Sequence, residues 1–354
     1  MGTLAEMKAL VLTGPGHFDY ADVPIAELAD DEVLVAVRAC GICGSDVHGM
    51  DGSTGRRRPP VVMGHEAAGV VAMVGAAVEG WAEGDRVTFD STVSCGRCQY
   101  CHQGRVNLCD ERRVLGVSCE EYRRDGAFAD YVAVPARTLY RLPDGLSFER
   151  AALLETLSVA VHAVRRAGVS PGESAVVVGT GMVGLLVVQA LRAYGCDRVI
   201  GVDLDSGRLA MAERFGAEPV SGDAGTAAAA VRQRTGGAGA DVAIEVVGVA
   251  AAVQTAIASV RKGGRVGLVG NLSATVDLPL QAAVTRELTL YGSCASSGEY
   301  PECIELLASG QVDVGPLISA VAPLSEGAGW FDRLYSGAPG LMKVVLQPGT
   351  GGRP

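Results

Sequence analysis

Four cysteines, Cys95, Cys98, Cys101 and Cys109, fall within fifteen residues in the run CGRCQYCHQGRVNLC. This spacing lets four thiolates converge on one soft cation at a tetrahedral centre, and zinc suits that donor set. An iron–sulfur cluster would favour a tighter fourth spacing followed by proline, whereas Asp110 follows Cys109. The alternative, ordinary buried thiols, would require four of the ten cysteines to gather by chance in one polar, glycine-containing loop.

A second set of metal-ligating types lies upstream. ACGICGSDVHG supplies Cys43, Ser45, Asp46 and His48, and MGHEAAG supplies the adjacent His65 and Glu66. Cysteine and histidine from different turns, with a carboxylate beside them, offer three protein ligands and leave a fourth place for water or a substrate oxygen, as a catalytic zinc requires. Singly each is ambiguous: Cys40 or Cys43 would fit a core, and His65 would fit a satisfied buried histidine.

A third constellation is GxGxxG at Gly179, Gly181 and Gly184, between a strand ending at Val178 and a helix opening with Met182 and Val183. The first glycine permits a tight turn, the second lets backbone approach a pyrophosphate, and the third allows close helix packing. Asp203 ends the next strand, nineteen positions after Gly184. A carboxylate there accepts from both ribose hydroxyls and repels a 2'-phosphate, so NAD is expected over NADP. Asp205 is a possible substitute, and Arg208 is expected either over the adenine or in solvent.

The elements that must position these residues fall into two textures. Residues 7 to 150 read as short β-rich segments, MKALVL, DEVLVAVRA, EAAGVVAMVG, DRVTF and DYVAV, broken by Gly and Pro. From Glu149, ERAALLETLSVAVHAVRRAG has the periodicity of an amphipathic helix. ESAVVVGTGMVGLLVVQALRAYGCDRVIGVDLD is then a βαβ unit, and the alternation continues through SGRLAMAERFG, DVAIEVVG, AAVQTAIASV, GRVGLVG and LTLYGS, which predicts a parallel, doubly wound sheet. A helix over PECIELLASG and a closing strand LMKVVLQ are expected to rejoin the first domain.

At 354 residues two domains are the default. The net charge of -10 argues against sequence-independent binding to nucleic acid or anionic membranes, and the short Arg56, Arg57, Arg58 run is expected to be a solvated loop. The start MGTLAEMKALVL has no secretory pattern and no stretch is apolar enough for a membrane span, so a cytoplasmic protein is expected. In a reducing compartment, clustered cysteines are metal ligands rather than disulfides, and Cys196 and Cys303 are buried thiols.

Through CGICGSDVH, GHEAAG, the four-cysteine run, LETLSVAVHA and VVVGTGMVGLL, nearly the whole chain resembles zinc-dependent medium-chain alcohol dehydrogenases of the polyol dehydrogenase branch. That resemblance implies an α/β protein: a GroES-like catalytic domain over 1–157 completed by 296–354, and an NAD-binding Rossmann domain over 158–295. It also implies a homotetramer or homodimer and two zinc ions per subunit. Cys43, His65, Glu66 and Glu155 would surround the catalytic zinc, while Cys95, Cys98, Cys101 and Cys109 would hold a structural one. Ser45 would accept the substrate hydroxyl proton, His48 would pass protons to solvent, and Asp46 would be a structural hydrogen-bonding group. Gly179, Gly181, Met182, Val183, Gly184, Asp203 and Arg208 would bind NAD.

Alcohol dehydrogenases proper usually have cysteine where Glu155 stands, and glutamate there resembles the sorbitol, L-iditol, galactitol and threonine dehydrogenases. Sorbitol dehydrogenases share an Arg-Tyr pair where this chain has Ala295 and Ser296. Loss of that arginine removes a strong hydroxyl-binding group and leaves galactitol-type, sugar-alcohol and cyclitol substrates open. SCEEYRRDGAF, with Glu120, Glu121, Arg123 and Arg124 before Phe128, is expected to be a charged loop. The expected function is hydride transfer between a secondary alcohol of a polyol, sugar or cyclitol and NAD. The alternatives are amino-alcohol oxidation like that of L-threonine 3-dehydrogenase, and a non-catalytic protein that binds NAD and zinc.

Overall fold

The computed structural model describes residues 6–118 and 124–349. Glu120, Glu121 and Arg123 lie outside the described residues. The chain forms two units: Met1–Glu155 with Tyr300–Ala308 and Val314–Pro354, and Thr156–Glu299 with Ser309–Asp313.

In the first unit the strand Glu32–Gly41 is central. It pairs antiparallel with Glu66–Val74, Tyr131–Pro135 and Lys343–Gln347. Arg86–Phe89 and Leu139–Arg141 extend the sheet on one side, and Ile318–Pro323 lies beyond Lys343–Gln347 on the other. A second sheet joins His17–Pro24, Glu6–Gly14 and Val61–Val62. One core fills this unit, with Leu10, Leu12, Met63, Phe89, Leu115, Phe128 and Phe331 fully buried. Phe331 stacks on Phe18 with ring centroids 4.5 Å apart and meets Phe128 edge-on at 5.7 Å, the offset and T-shaped geometries aromatic rings prefer. The predicted closing strand is thus observed at Lys343–Gln347, inside the sheet of the first unit.

In the second unit six strands run in the order Glu218–Ser221, Arg198–Asp203, Ser174–Val178, Ala240–Glu245, Val260–Leu268, Thr289–Gly292, every pair parallel. Val- and Ile-rich strands such as SAVVV and ADVAIE suit a sheet buried on both faces. Chain order reverses between Ser174–Val178 and Ala240–Glu245, the switch point at which such sheets bind ligands beyond their carboxyl ends. The helices that cover the sheet carry the expected caps: Asp205 accepts from the Arg208 amide ahead of Ser206–Arg214, and Asp223 from that of Thr226 ahead of Ala224–Arg234.

Two local expectations are corrected. The helix anticipated from Glu149 is two helices, Phe148–Ala152 and Leu154–Arg166, because Leu153 terminates the short Ser147-capped turn. The strand His17–Pro24 was not evident in the sequence, since its HFDYADVP carries charge along an exposed edge. Among the described residues no helix is long and apolar enough to cross a membrane.

Gly184 shows how tightly the second unit is built. A Cβ there would lie 1.9 Å from the Gly179 carbonyl oxygen, so helix Met182–Ala193 approaches its own turn as no other residue permits. Gly184→Ala is expected to cost about 3 kcal/mol or more in the second unit. Urea denaturation followed by NADH fluorescence checks this, and an unshifted midpoint would refute it.

Candidate metal centres and dinucleotide site

Cys43 sits in extended backbone (φ -82°, ψ 147°) ahead of the short helix Gly44–Gly49. Its sulfur accepts from the Ser45 amide at 3.4 Å and from the Ser45 hydroxyl at 3.3 Å. His65 immediately precedes the strand Glu66–Val74. One ligand atom from each of Cys43, His65 and Glu66 lies within 4.8 Å of the others. Burial, then the neighbouring Glu66 charge, pushes the Cys43 thiol up to about 12. Thiolate, imidazole and carboxylate converging out of water form a donor set that fits zinc, and a cation there would reverse the direction of that shift.

Glu66 is also committed elsewhere. Lys343 Nζ donates to its Oε1 at 2.8 Å and Oε2 at 2.6 Å, and to the Ile42 carbonyl at 3.0 Å, all of them buried. Gly41 makes room for this pair, since a Cβ there would lie 2.3 Å from Glu66 Oε2. Glu155 stands outside the 4.8 Å group yet within its field. Burial raises its carboxyl to about 8; His65 and Lys343 oppose that rise, while Glu66 and Cys43 add to it. Cys40 is a core thiol, fully buried.

Ser45 and His48 are exposed on helix Gly44–Gly49, and neither belongs to the 4.8 Å group. Asp46 is fully buried, with one oxygen 3.5 Å from His65 Nδ1 and the other held by Arg57 at 2.7 Å. This corrects the expectation of a solvated arginine run: Arg56 and Arg58 are exposed, but Arg57 is buried. Arg124 is likewise anchored, pairing with Glu32 at 2.5 Å and donating to the Ala133 carbonyl.

The four clustered cysteines also present sulfurs within 4.8 Å of one another. Cys98 and Cys101 are 3.5 Å apart, and the Cys95 amide donates to Cys109 at 3.2 Å. Backbone N–H groups of Asp110 and Cys101 pull the Cys98 thiol down to about 6, while burial pushes Cys109 up to about 12. Four sulfurs fill a tetrahedral shell by themselves and leave no open position.

In the second unit Gly179 has φ +93°, and Gly181, Met182 and Val183 lead into the helix as expected. Asp203 is fixed from both sides: Oδ2 accepts from Thr180 N at 2.7 Å and Oγ1 at 3.2 Å, and Oδ1 from the amides of Leu204 and Asp205 at 2.8 and 2.9 Å. Asp205 Oδ1 caps the helix Ser206–Arg214 by accepting from the Arg208 amide at 2.8 Å. Arg208 reaches toward the glycine turn, its Nη1 4.0 Å from where a Gly181 Cβ would be. Glu245 was missed: its buried Oε1 accepts from the Val247 and Gly248 amides at 2.6 and 2.8 Å, bracing the loop that packs on Gly179. A glutamate ending the apolar strand ADVAIE was its signal. Ala295 takes positive φ (50°) and Ser296 is buried.

Comparison with known proteins agrees with this arrangement. The alcohol dehydrogenase GroES-like domain matches residues 29–144, and the zinc-binding dehydrogenase domain matches residues 182–309. The chain is 39% identical over 345 residues to a protein named probable D-xylulose reductase A of Aspergillus clavatus, covering 95% of each. It is 36% identical over 349 residues to sorbitol dehydrogenase of Bacillus subtilis, covering 97% of this chain and 98% of the relative. Among solved structures, the galactitol-1-phosphate dehydrogenase of Escherichia coli superposes with a TM-score of 0.89 at 27% identity, covering 97% of this chain and all of that one (100%). The chain therefore belongs to the zinc-binding alcohol dehydrogenase family, and it is a dehydrogenase with a GroES-like domain and a Rossmann domain.

Lys343→Met would leave the Glu66 charge buried without its partner. A loss of about 3–5 kcal/mol is expected, with a smaller loss for the Lys343→Met, Glu66→Gln pair, which removes both charges. Chemical denaturation of both variants checks this, and equal losses would show that the ion pair is not the cause.

Proposed function

We propose that the protein is a zinc-dependent dehydrogenase that oxidises a secondary alcohol of a polyol, sugar or cyclitol with NAD, or runs that reaction in reverse. The observation that carries this is the group of half-buried Cys43 with buried His65 and Glu66, their donor atoms within 4.8 Å of one another, in a chain that also has a dinucleotide turn. Cys43 and His65 would hold the zinc, with Glu66 and Glu155 the carboxylates available to complete its shell. When bound, zinc supplies Lewis acidity toward an alcohol oxygen and NAD supplies a hydride acceptor.

The chain's own residues supply the rest. Lys343 keeps the Glu66 carboxylate in one place and offsets its charge. The Ser45 hydroxyl, beside Cys43, is the first proton acceptor for the alcohol, and exposed His48 is the next carrier toward solvent. Asp203, anchored by four donors, presents fixed negative charge at the ribose end of the dinucleotide turn and favours NAD over NADP. Cys95, Cys98, Cys101 and Cys109 would bind a second, structural zinc. Homotetrameric or homodimeric assembly and a cytoplasmic setting belong to the same reading.

The relatives named D-xylulose reductase and sorbitol dehydrogenase support a polyol substrate. Ala295 and Ser296, in place of an arginine and an aromatic hydroxyl, support a polyol other than sorbitol. NADH formation at 340 nm by the zinc-loaded protein, across alditols, cyclitols and L-threonine, tests this. Turnover of a polyol secondary alcohol supports it, turnover of threonine alone would replace it with amino-alcohol oxidation, and no turnover would overturn it. Cys43→Ala and His65→Ala are expected to abolish turnover while NADH still binds. Asp203→Ala should narrow the preference for NAD over NADP by about 10- to 100-fold, the scale of Coulomb repulsion between two nearby anions in a partly screened site. An unchanged ratio of kcat/KM for the two cofactors would move the discrimination to another residue.

A further inference from the structure

Arg57 leaves a segment of Gly, Ser, Thr and Arg, yet its side chain is only 4% exposed. Its Nη2 and Nε donate at 2.7 and 3.2 Å to the same oxygen of Asp46, Oδ1. An arginine that merely neutralised a buried carboxylate would place one donor on each oxygen, the stronger bidentate arrangement. Here Oδ2 is left over, buried and without a hydrogen bond, and it faces His65 Nδ1, also buried and unbonded, at 3.5 Å.

The same Nη2 lies 3.4 Å from Ser45 Oγ, whose hydroxyl donates to Cys43. A third donor, Nη1, binds the Arg56 carbonyl at 3.2 Å and fixes the guanidinium plane. Space for this arm is provided by Gly49, where a Cβ would come within 2.9 Å of Arg57 Cγ. One buried side chain thus touches the groups that orient both Cys43 and His65.

We propose that Arg57 is a positioning residue for the Cys43 and His65 centre. It turns Asp46 so that Oδ2 takes the Nδ1–H of His65, reserving Nε2 for a metal, and it steadies the Ser45 hydroxyl against Cys43. This rests on the zinc assignment proposed above.

The test follows zinc transfer from the loaded protein to a chromogenic chelator, with the four-cysteine site as the internal reference. Arg57→Met is expected to release zinc from the Cys43 and His65 centre about 10- to 100-fold faster than wild type, the usual effect of losing an outer hydrogen-bonding partner, while the four-cysteine zinc leaves at its wild-type rate. kcat should fall while the dissociation constant for NADH is unchanged.

Since Arg57→Met strands a buried aspartate, the Asp46→Asn, Arg57→Met variant removes both charges and is expected to melt near wild type yet still release zinc rapidly. Arg57→Lys keeps the charge but not the fork, and should fall between the two. Wild-type retention of zinc in the double variant would show that Arg57 only neutralises Asp46, and would overturn the proposal. If Cys43→Ser releases zinc as wild type does, the zinc assignment itself fails, and the role of Arg57 with it.

Discussion

The buried pairing of Lys343 with Glu66 is the constraint on which the first unit turns. Its partners are 277 residues apart in sequence, one on a strand near the end of the chain and the other on the strand that follows His65. Burial by itself lowers this lysine's pKa, but the anions around it, Glu66 first, hold it above the ordinary lysine value. The pair endures out of water because its geometry is saturated: three acceptors for one ammonium, and two oxygens of one carboxylate gripped at once. Lys343–Gln347 must therefore lie antiparallel to Glu32–Gly41 at the place where Gly41 offers no side chain. The strand that closes the sheet also supplies the lysine that holds the Glu66 carboxylate.

This explains which parts of the molecule were legible in the sequence. The four-cysteine run and GxGxxG are local: a few backbone turns bring their parts together, so residue type and spacing carry nearly all the information. Strand and helix periodicity gave the parallel sheet, its helices and the closing strand. The candidate Cys43 and His65 centre is assembled from separated segments, so its residue types stood out as metal-ligating but stayed ambiguous singly, and the resemblance added Glu155 to them. Its supports were not recognisable. Arg57 lies between two other arginines, and nothing in GRRRPP separates a buried guanidinium from two solvated ones. The glycines that admit Lys343 and Arg57, Gly41 and Gly49, look like any other glycines until the neighbouring side chains are in place.

The two metal centres differ for the same reason. In the four-thiol lobe the ligands come from one loop with backbone amides aimed at the sulfurs, so the loop needs little from the rest of the protein. At the other candidate centre each donor has a polar neighbour outside the set: Ser45 donates to Cys43, Asp46 lies 3.5 Å from His65, and Lys343 donates to Glu66. A closed shell can be fixed by its own ligands, whereas a shell that must admit a substrate needs outer contacts to hold the remaining ligands in geometry. The denser scaffolding around Cys43 and His65 fits the open site proposed there.

Asp203 follows this logic in the second unit. A carboxylate has about four lone-pair directions, and the amides of Thr180, Leu204 and Asp205 with the Thr180 hydroxyl already occupy those of Asp203. These bonds tie the Thr180 turn to the end of strand Arg198–Asp203, so the carboxylate helps to shape the glycine loop before any dinucleotide arrives. In the proposed role, discrimination against a 2'-phosphate would come from charge held rigidly in place, because a side chain braced from both sides cannot swing away from a second anion. Fold and cofactor choice share that one carboxylate.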